Sequence, residues 1–361
     1  MAELSDLPLR DNLVGKTPYG APQAAVPVSL NVNENTHPLP EAFVAEATEA
    51  LAAALRNVNR YPDREFMGLR EALAGYLGHG LTPERVWAAN GSNEVLQQIL
   101  QAFGGPGRTL MSFTPTYSMY PLLADGTDTG YIGVPRNDDY TVTPELVVSA
   151  IAEHKPDIVV LCAPNNPTGT PMSLETILAA YEAFDGILIV DEAYKEFDTE
   201  NETAISLLDG RHRLMVSRTM SKAFAFAGVR LGYLAADSAV VDALRLVRLP
   251  YHLSGLTQAA ATTAVKHADA MLATVDEIRA QRDRLAAALT SLGYVVHDSG
   301  SNFLLVGGFA NPVEVFERLR AQGILVRDLN IAGHVRITAG TAEETSAVIA
   351  AITEFGPAGT V

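Results

Sequence analysis

The chain of 361 residues carries a single cysteine, Cys162, so no internal disulfide can form. Its place in the apolar run Ile158-Val-Val-Leu-Cys-Ala163 reads as a buried core position, and a reducing compartment is the natural expectation. Basic residues are also scarce: 26 lysines and arginines against 42 acids leave a formal charge of −16. With no basic stretch to displace counterions from phosphates, this charge argues against a nucleic-acid partner. No apolar run reaches membrane-spanning length, and the first residues, Met1-Ala-Glu-Leu-Ser-Asp6, lack the basic and apolar regions of a signal peptide. These absences point to the cytoplasm and away from membranes, and no metal site is expected.

What is present is enough apolar material, 48% of the residues, for a sizeable core divided between a large and a smaller domain. Residues 1–40, rich in Pro, Asn and Gly, read as an extended arm that must lie against something. A large domain is expected over 41–254 and a small C-terminal domain over 255–361. From Glu41 the pattern turns helical, with Val44, Ala47, Leu51 and Leu55 on one face. Short β-branched runs at 109–112, 131–134, 157–163, 187–190, 214–217 and 230–235 alternate with helical patterns, which indicates an α/β fold with a mainly parallel sheet between helices. Beyond 255, strand-like runs at 294–297, 303–306, 324–326 and 335–338 alternate with helices over 312–322 and 342–355, suggesting an α+β unit. Ligands of such parallel sheets bind beyond the carboxyl ends of the strands, so the polar residues there carry the functional information.

Only five lysines occur, and one of them, Lys222, sits in Ser217-Arg-Thr-Met-Ser-Lys-Ala-Phe-Ala-Phe-Ala-Gly-Val-Arg230 among small and apolar neighbours. A poorly solvated amine deprotonates more easily and becomes a nucleophile toward aldehydes such as pyridoxal phosphate. Taken by itself the segment fits equally well a lysine whose stem covers apolar surface while its head stays in water. The remaining strand ends decide between these readings. Asn90-Gly-Ser-Asn-Glu94 precedes an apolar-periodic helix, so Ser92 and Asn93 fall at a helix N-terminus, an anion site or an ordinary cap. Pro164-Asn-Asn-Pro-Thr-Gly169 follows one strand, and Asn166 there can offer an amide to a ring oxygen. Asp191 emerges from another, where a carboxylate needs a cationic partner such as a protonated pyridine nitrogen. Thr219, Ser221 and Arg230 suit a phosphate dianion, although Arg230 alone reads equally well as an ion-pair partner of an acid.

These motifs, Asn-Pro-Thr-Gly, Asp-Glu-Ala-Tyr and Ser-Lys-Ala-Phe-Ala-Phe-Ala-Gly-Val-Arg-Leu-Gly, resemble the aspartate aminotransferase fold superfamily. With Thr17-Pro-Tyr-Gly20, Asn33-Glu-Asn35, Tyr61-Pro-Asp63, Pro115-Thr-Tyr117, Val326-Arg-Asp328 and Val335-Arg-Ile-Thr-Ala-Gly-Thr341, the chain is similar over nearly its whole length to the histidinol-phosphate aminotransferases. The resemblance implies that Lys222 binds the pyridoxal phosphate aldehyde and shuttles the Cα proton, that Asp191 holds the ring nitrogen, and that Tyr194 and Asn166 bond the ring oxygen under a stacking Tyr117. It implies that Ser92, Asn93, Thr219, Ser221 and Arg230 hold the phosphate, and that Tyr61 reaches the site of a second subunit in a homodimer with shared active sites. On the substrate side it implies Tyr19, Asn33, Tyr120 and Tyr251, with Arg336 for the donor carboxylate and Arg327 for the substrate phosphate. The connection from Arg327 to Arg336 is short for the family, and Thr36-His37 stands where proline is usual after Asn35.

An aromatic amino-acid aminotransferase on the same scaffold and a phospho-amino-acid decarboxylase are the nearest alternatives. A pyridoxal-phosphate-binding regulatory module would need a DNA-binding segment, which is not visible.

Overall fold

The computed structural model of the chain describes residues 6–18, 20 and 22–360. Its strands are β1 (Val28–Ser29), β2 (Val86–Ala89), β3 (Thr109–Thr114), β4 (Gly130–Pro135), β5 (Ile158–Cys162), β6 (Ile187–Asp191), β7 (Leu214–Thr219), β8 (Gly232–Ala235), β9 (Val295–Val296), β10 (Phe303–Gly307), β11 (Ile324–Leu325) and β12 (His334–Thr338). Seven of them form one sheet in the order β2-β8-β7-β6-β5-β3-β4. Only β8 runs against its neighbours; the other pairings are parallel.

The parallel arrangement follows from the sequence. Every residue of β5 and β7 is buried, as apolar runs covered by crossover helices on both faces must be. The helices between strands carry their own start signals. Thr143 caps Pro144–His154 by accepting from the Leu146 amide, with proline at the first helical position, and Ser173 caps Leu174–Glu182 in the same way. In the C-terminal part Thr341 and Glu344 form a reciprocal capping box on Ala342–Thr353. A three-stranded antiparallel sheet, β12-β10-β9, packs there with Leu285, Leu289, Val315, Leu319 and Val348 in a second hydrophobic cluster.

Three details depart from the sequence reading. The run at 324–326 does not join the C-terminal sheet; β11 pairs in parallel with β1, so the N-terminal segment is stitched to the small unit and Leu30 enters its core. On the helix Glu41–Leu55 the buried residues are Phe43 and Ala47, while Val44 and Leu55 are exposed. The helix Gly255–Lys266, assigned from sequence to the smaller unit, gives Ala260, Ala261 and Ala264 to the larger cluster. Among the described residues, no helix is long and apolar enough to cross a membrane.

Candidate active site

The carboxyl ends of β5, β6 and β7 open into a cavity of about 660 Å³, closed on the far side by residues 31–34 and by 327–336. Lys222, Asp191, Tyr194, Asn166, Tyr117, Ser92, Asn93, Thr219, Ser221, Arg230, Asn33, Arg327 and Arg336 all line it. Most of these positions follow a strand or open a helix at the carboxyl edge of the seven-stranded sheet, while Asn33, Arg327 and Arg336 come in from the N-terminal segment and from the C-terminal sheet opposite.

Lys222 follows β7, and its Nζ donates to the Val32 carbonyl at 2.8 Å. Burial, with a further contribution from the Arg336 guanidinium, pulls its pKa from 10.5 down to about 7. Asp191 ends β6 and is 2% exposed. Its Oδ2 accepts from the Tyr120 hydroxyl at 2.9 Å, whereas Oδ1 is buried without a hydrogen-bond partner among the described residues. Desolvation raises this carboxyl to about 6, held there by the opposing Tyr120 hydrogen bond and the Ala193 amide, so it is ionised at neutral pH.

The helix Ser92–Phe103 begins at Gly91, whose φ of +86° suits glycine, and no side chain caps it. The Ser92 and Asn93 amides therefore find no acceptor among the described residues. A Cβ on Gly91 would overlap the Arg230 guanidinium, and one on Gly232 would overlap the Ser92 amide nitrogen, which shows how closely cation and helix terminus approach. Arg230 makes no ion pair with Asp191; one guanidinium nitrogen donates to the Ala227 carbonyl. Thr219 Oγ1 donates to Ser221 Oγ at 3.0 Å, placing two hydroxyls beside these cationic and backbone donors.

A polar wall faces the amine. Tyr194 Oη accepts from Asn33 Nδ2 at 2.8 Å and from Asn166 Nδ2 at 3.4 Å. Asn33, at φ +58°, is held by Thr338 Oγ1 on its side chain and by Asn302 on its carbonyl. Arg336 donates to Asn166 Oδ1 at 2.6 Å and to the Asn31 carbonyl at 2.7 Å. Arg327 and Arg336 exchange both backbone hydrogen bonds as antiparallel partners, so their side chains share the face turned to the cavity.

Does this arrangement suit the expected cofactor? An orphaned buried carboxylate oxygen awaits a ring N–H, a helix terminus with free amides beside Arg230, Thr219 and Ser221 awaits a phosphate, and a half-neutral amine awaits an aldehyde. The residues fit pyridoxal phosphate.

Two of the sequence assignments fall elsewhere. Tyr120 is not on the substrate side: it is 1% exposed, lies behind Asp191, and meets Tyr117 edge-on at 5.5 Å. Tyr251, expected on the substrate side, does not line the cavity; it stacks at 4.4 Å on Tyr61, which is 80% exposed on the surface. Tyr19 lies outside the described residues. Sequence reasoning also missed contributors: the Val32 carbonyl, Asn31, and the apolar Leu329 and Ile331 on the cavity wall.

The sequence matches the model of the "Aminotransferase class I and II" family over residues 26–352. The chain belongs to this family. It is 56% identical over 356 residues to a histidinol-phosphate aminotransferase of Paenarthrobacter aurescens, covering 98% of this chain and 96% of that one. It is 53% identical over 342 residues to the histidinol-phosphate aminotransferase of Thermobifida fusca, covering 94% and 93%. Among solved structures, the histidinol-phosphate aminotransferase of Sinorhizobium meliloti in complex with pyridoxal-5'-phosphate superposes with a TM-score of 0.82 at 24% identity, over 91% of this chain and 90% of that one. The aspartate aminotransferase of Thermus thermophilus with maleate gives 0.77 at 25% identity, over 91% of both chains. The class I and II aminotransferase fold explains why the seven-stranded sheet and the three-stranded one flank the cavity.

Proposed function

We propose that the chain is a pyridoxal-phosphate-dependent transaminase that moves an amino group between glutamate/2-oxoglutarate and histidinol phosphate/imidazole-acetol phosphate. The observation that carries the substrate assignment is the cross-strand pair Arg327 and Arg336 on one cavity wall. Two ping-pong partners must use the same cavity in turn, one bearing carboxylates and the other a phosphate. A guanidinium for each anion meets that demand, Arg336 taking the donor carboxylate and Arg327 the phosphate. High identity to histidinol-phosphate aminotransferases over nearly the full chain supports the same reading.

In this proposal Ser92, Asn93, Thr219, Ser221 and Arg230 hold the cofactor phosphate, Asp191 Oδ1 accepts the ring N–H, Tyr117 covers the ring, and Tyr194 with Asn166 bonds its oxygen. When bound, pyridoxal phosphate supplies an electron sink for the pair of electrons left at the substrate Cα. The chain's own residues supply the proton chemistry. The Lys222 amine, about half neutral at pH 7, removes the Cα proton of the amino donor and returns one as its conjugate acid in the second half of the transfer. Asp191, anionic and desolvated, fixes the positive charge whose persistence makes the sink effective. Residues 31–34 line the cavity beside the amine, with the Val32 carbonyl accepting from it.

The surface stack of Tyr61 and Tyr251, with Leu246 and Leu249 also exposed, supports a homodimer in which Tyr61 reaches the partner's phosphate site. The assay that tests the proposal supplies histidinol phosphate with or without 2-oxoglutarate. Consumption that requires 2-oxoglutarate and yields glutamate is expected; carbon dioxide release from phospho-amino acids without an acceptor would replace this reading with a decarboxylase.

A further inference from the structure

Among the buried groups near the cavity, the Tyr120 phenol is left without a role. It sits on the helix Met119–Gly126, which follows the loop carrying Tyr117, and packs beneath the cavity floor. Its hydroxyl donates to Asp191 Oδ2, the oxygen on the side away from the orphaned Oδ1. Around that hydrogen bond the titratable neighbours are few. The Cys162 thiol, raised to about 12 and therefore neutral, approaches from β5. Arg136, buried after β4 and donating to the Phe113 and Tyr140 carbonyls, faces Tyr120 and Cys162. Glu192 follows Asp191 on its own chain and is engaged by Arg218. Of these side chains, Tyr120 alone hydrogen-bonds the Asp191 carboxylate among the described residues.

We propose that Tyr120 is a positioning residue that acts through Asp191: by occupying Oδ2 it turns Oδ1 toward the ring nitrogen and keeps the carboxylate a weak enough base that the proton stays on the ring. The inference rests on Asp191 being the ring-nitrogen partner. Without the Tyr120 donor the carboxylate keeps only the Ala193 amide; it is more loosely held and a stronger base in a buried site, and a stronger base draws the shared proton to itself, which empties the ring of the positive charge the chemistry needs. One neutral buried donor removes both faults without adding a competing cation. A phenol pushed well above its ordinary pKa by burial stays a donor at every working pH.

The test measures equilibrium binding to cofactor-free protein of two ligands: pyridoxal phosphate, and its analogue with the ring nitrogen replaced by a C–H group. Tyr120→Phe keeps the ring and its packing on Tyr117. A hydrogen bond to a buried charge sets the scale, so the variant should lose about tenfold or more in affinity for pyridoxal phosphate. Its affinity for the carbon analogue should stay within about twofold, since that ligand makes no demand on Oδ1. The part of the acid limb of pyridoxal phosphate binding that comes from Asp191, whose carboxyl burial raises to about 6, should move upward in the variant, because the Asp191 anion has lost a donor. Equal losses for both ligands would make Tyr120 a packing residue and overturn the proposal, as would no loss for either. Asp191→Asn separates the two claims. If it discriminates between the ligands and Tyr120→Phe does not, the Tyr120 proposal fails alone. If Asp191→Asn is also indifferent to the ring nitrogen, the assignment of Asp191 fails, and the Tyr120 proposal with it.

Discussion

Only the neutral form of an amine captures an aldehyde, so the pH dependence of cofactor capture by the cofactor-free protein reports the state of Lys222. A lysine with the ordinary value of 10.5 is neutral to about one part in 3,000 at pH 7 and about one in 30 at pH 9, and its capture rate rises about 100-fold across that interval. With Lys222 drawn down to about 7 by burial and by Arg336, about half the amine is neutral at the start, and the rate should rise only about twofold. Stopped-flow absorbance after mixing with pyridoxal phosphate gives the rate. Dividing by the rate constant for a small exposed amine, first corrected for that amine's own neutral fraction, removes the titrations of the aldehyde itself and leaves those of Lys222. A rise approaching 100-fold would show that the cavity solvates this amine like any surface lysine, and the account of its nucleophilicity would fall. The same depression carries a thermodynamic sign. Between about 7 and 10.5 the unfolded chain binds a proton at residue 222 that the native chain does not, so native stability rises with pH through that window and the gain is lost as pH falls through 7. At about 1.4 kcal/mol per unit the ceiling is near 5 kcal/mol, reduced here because Lys222 borders the cavity rather than the dry interior. The stability of wild type relative to Lys222→Met should climb across the window and level off above it.

Other expectations follow from the same geometry. Gly232→Ala would drive a methyl group into the Ser92 amide, so it should weaken pyridoxal phosphate binding by an order of magnitude or more, read by equilibrium titration; unchanged affinity would remove that helix terminus from the phosphate site. Asp191→Asn should lower turnover by about 100-fold or more while leaving the assembly state in size-exclusion chromatography unaltered, because charge stabilisation in the reacting state is lost while the fold is kept. Mixing inactive Lys222→Ala and Tyr61→Ala subunits under exchange should restore activity through hybrids with one intact site. Mixtures that exchange yet stay inactive would contradict shared sites.

Much of the site was legible because its chemistry is placed by strand ends. Asn166, Asp191 and Lys222 each interrupt or follow a buried apolar run with a polar group that needs a partner, and such interruptions are visible in one dimension. What escaped lies in details with no signature along the chain. The acceptor for Lys222 is a backbone carbonyl, which any residue at position 32 would provide. The motif Tyr117-Ser-Met-Tyr120 puts two aromatics three residues apart without saying which meets the cavity; the structure turns Tyr117, in the loop, to it and Tyr120, on the helix that follows, behind Asp191. In Glu41–Leu55, alanines fill both faces between Phe43, Val44 and Ala47, so periodicity alone could not choose the buried side. The pairing of β11 with β1 joins residues almost three hundred positions apart through runs of two, too short for any pattern to announce.

The central claim, that this cavity is built for a phosphorylated amino donor, is tested most directly by the ratio of kcat/KM for histidinol phosphate to that for phenylalanine, in wild type and in Arg327→Leu. Removing one partner of a charged hydrogen-bonded pair costs about 2–5 kcal/mol, so the substitution should lower the ratio by about 30-fold or more, while efficiency with glutamate, which depends on Arg336, is retained. A wild-type ratio that already favours phenylalanine, or a ratio the substitution leaves unchanged, would contradict the account and give the aromatic aminotransferase reading precedence.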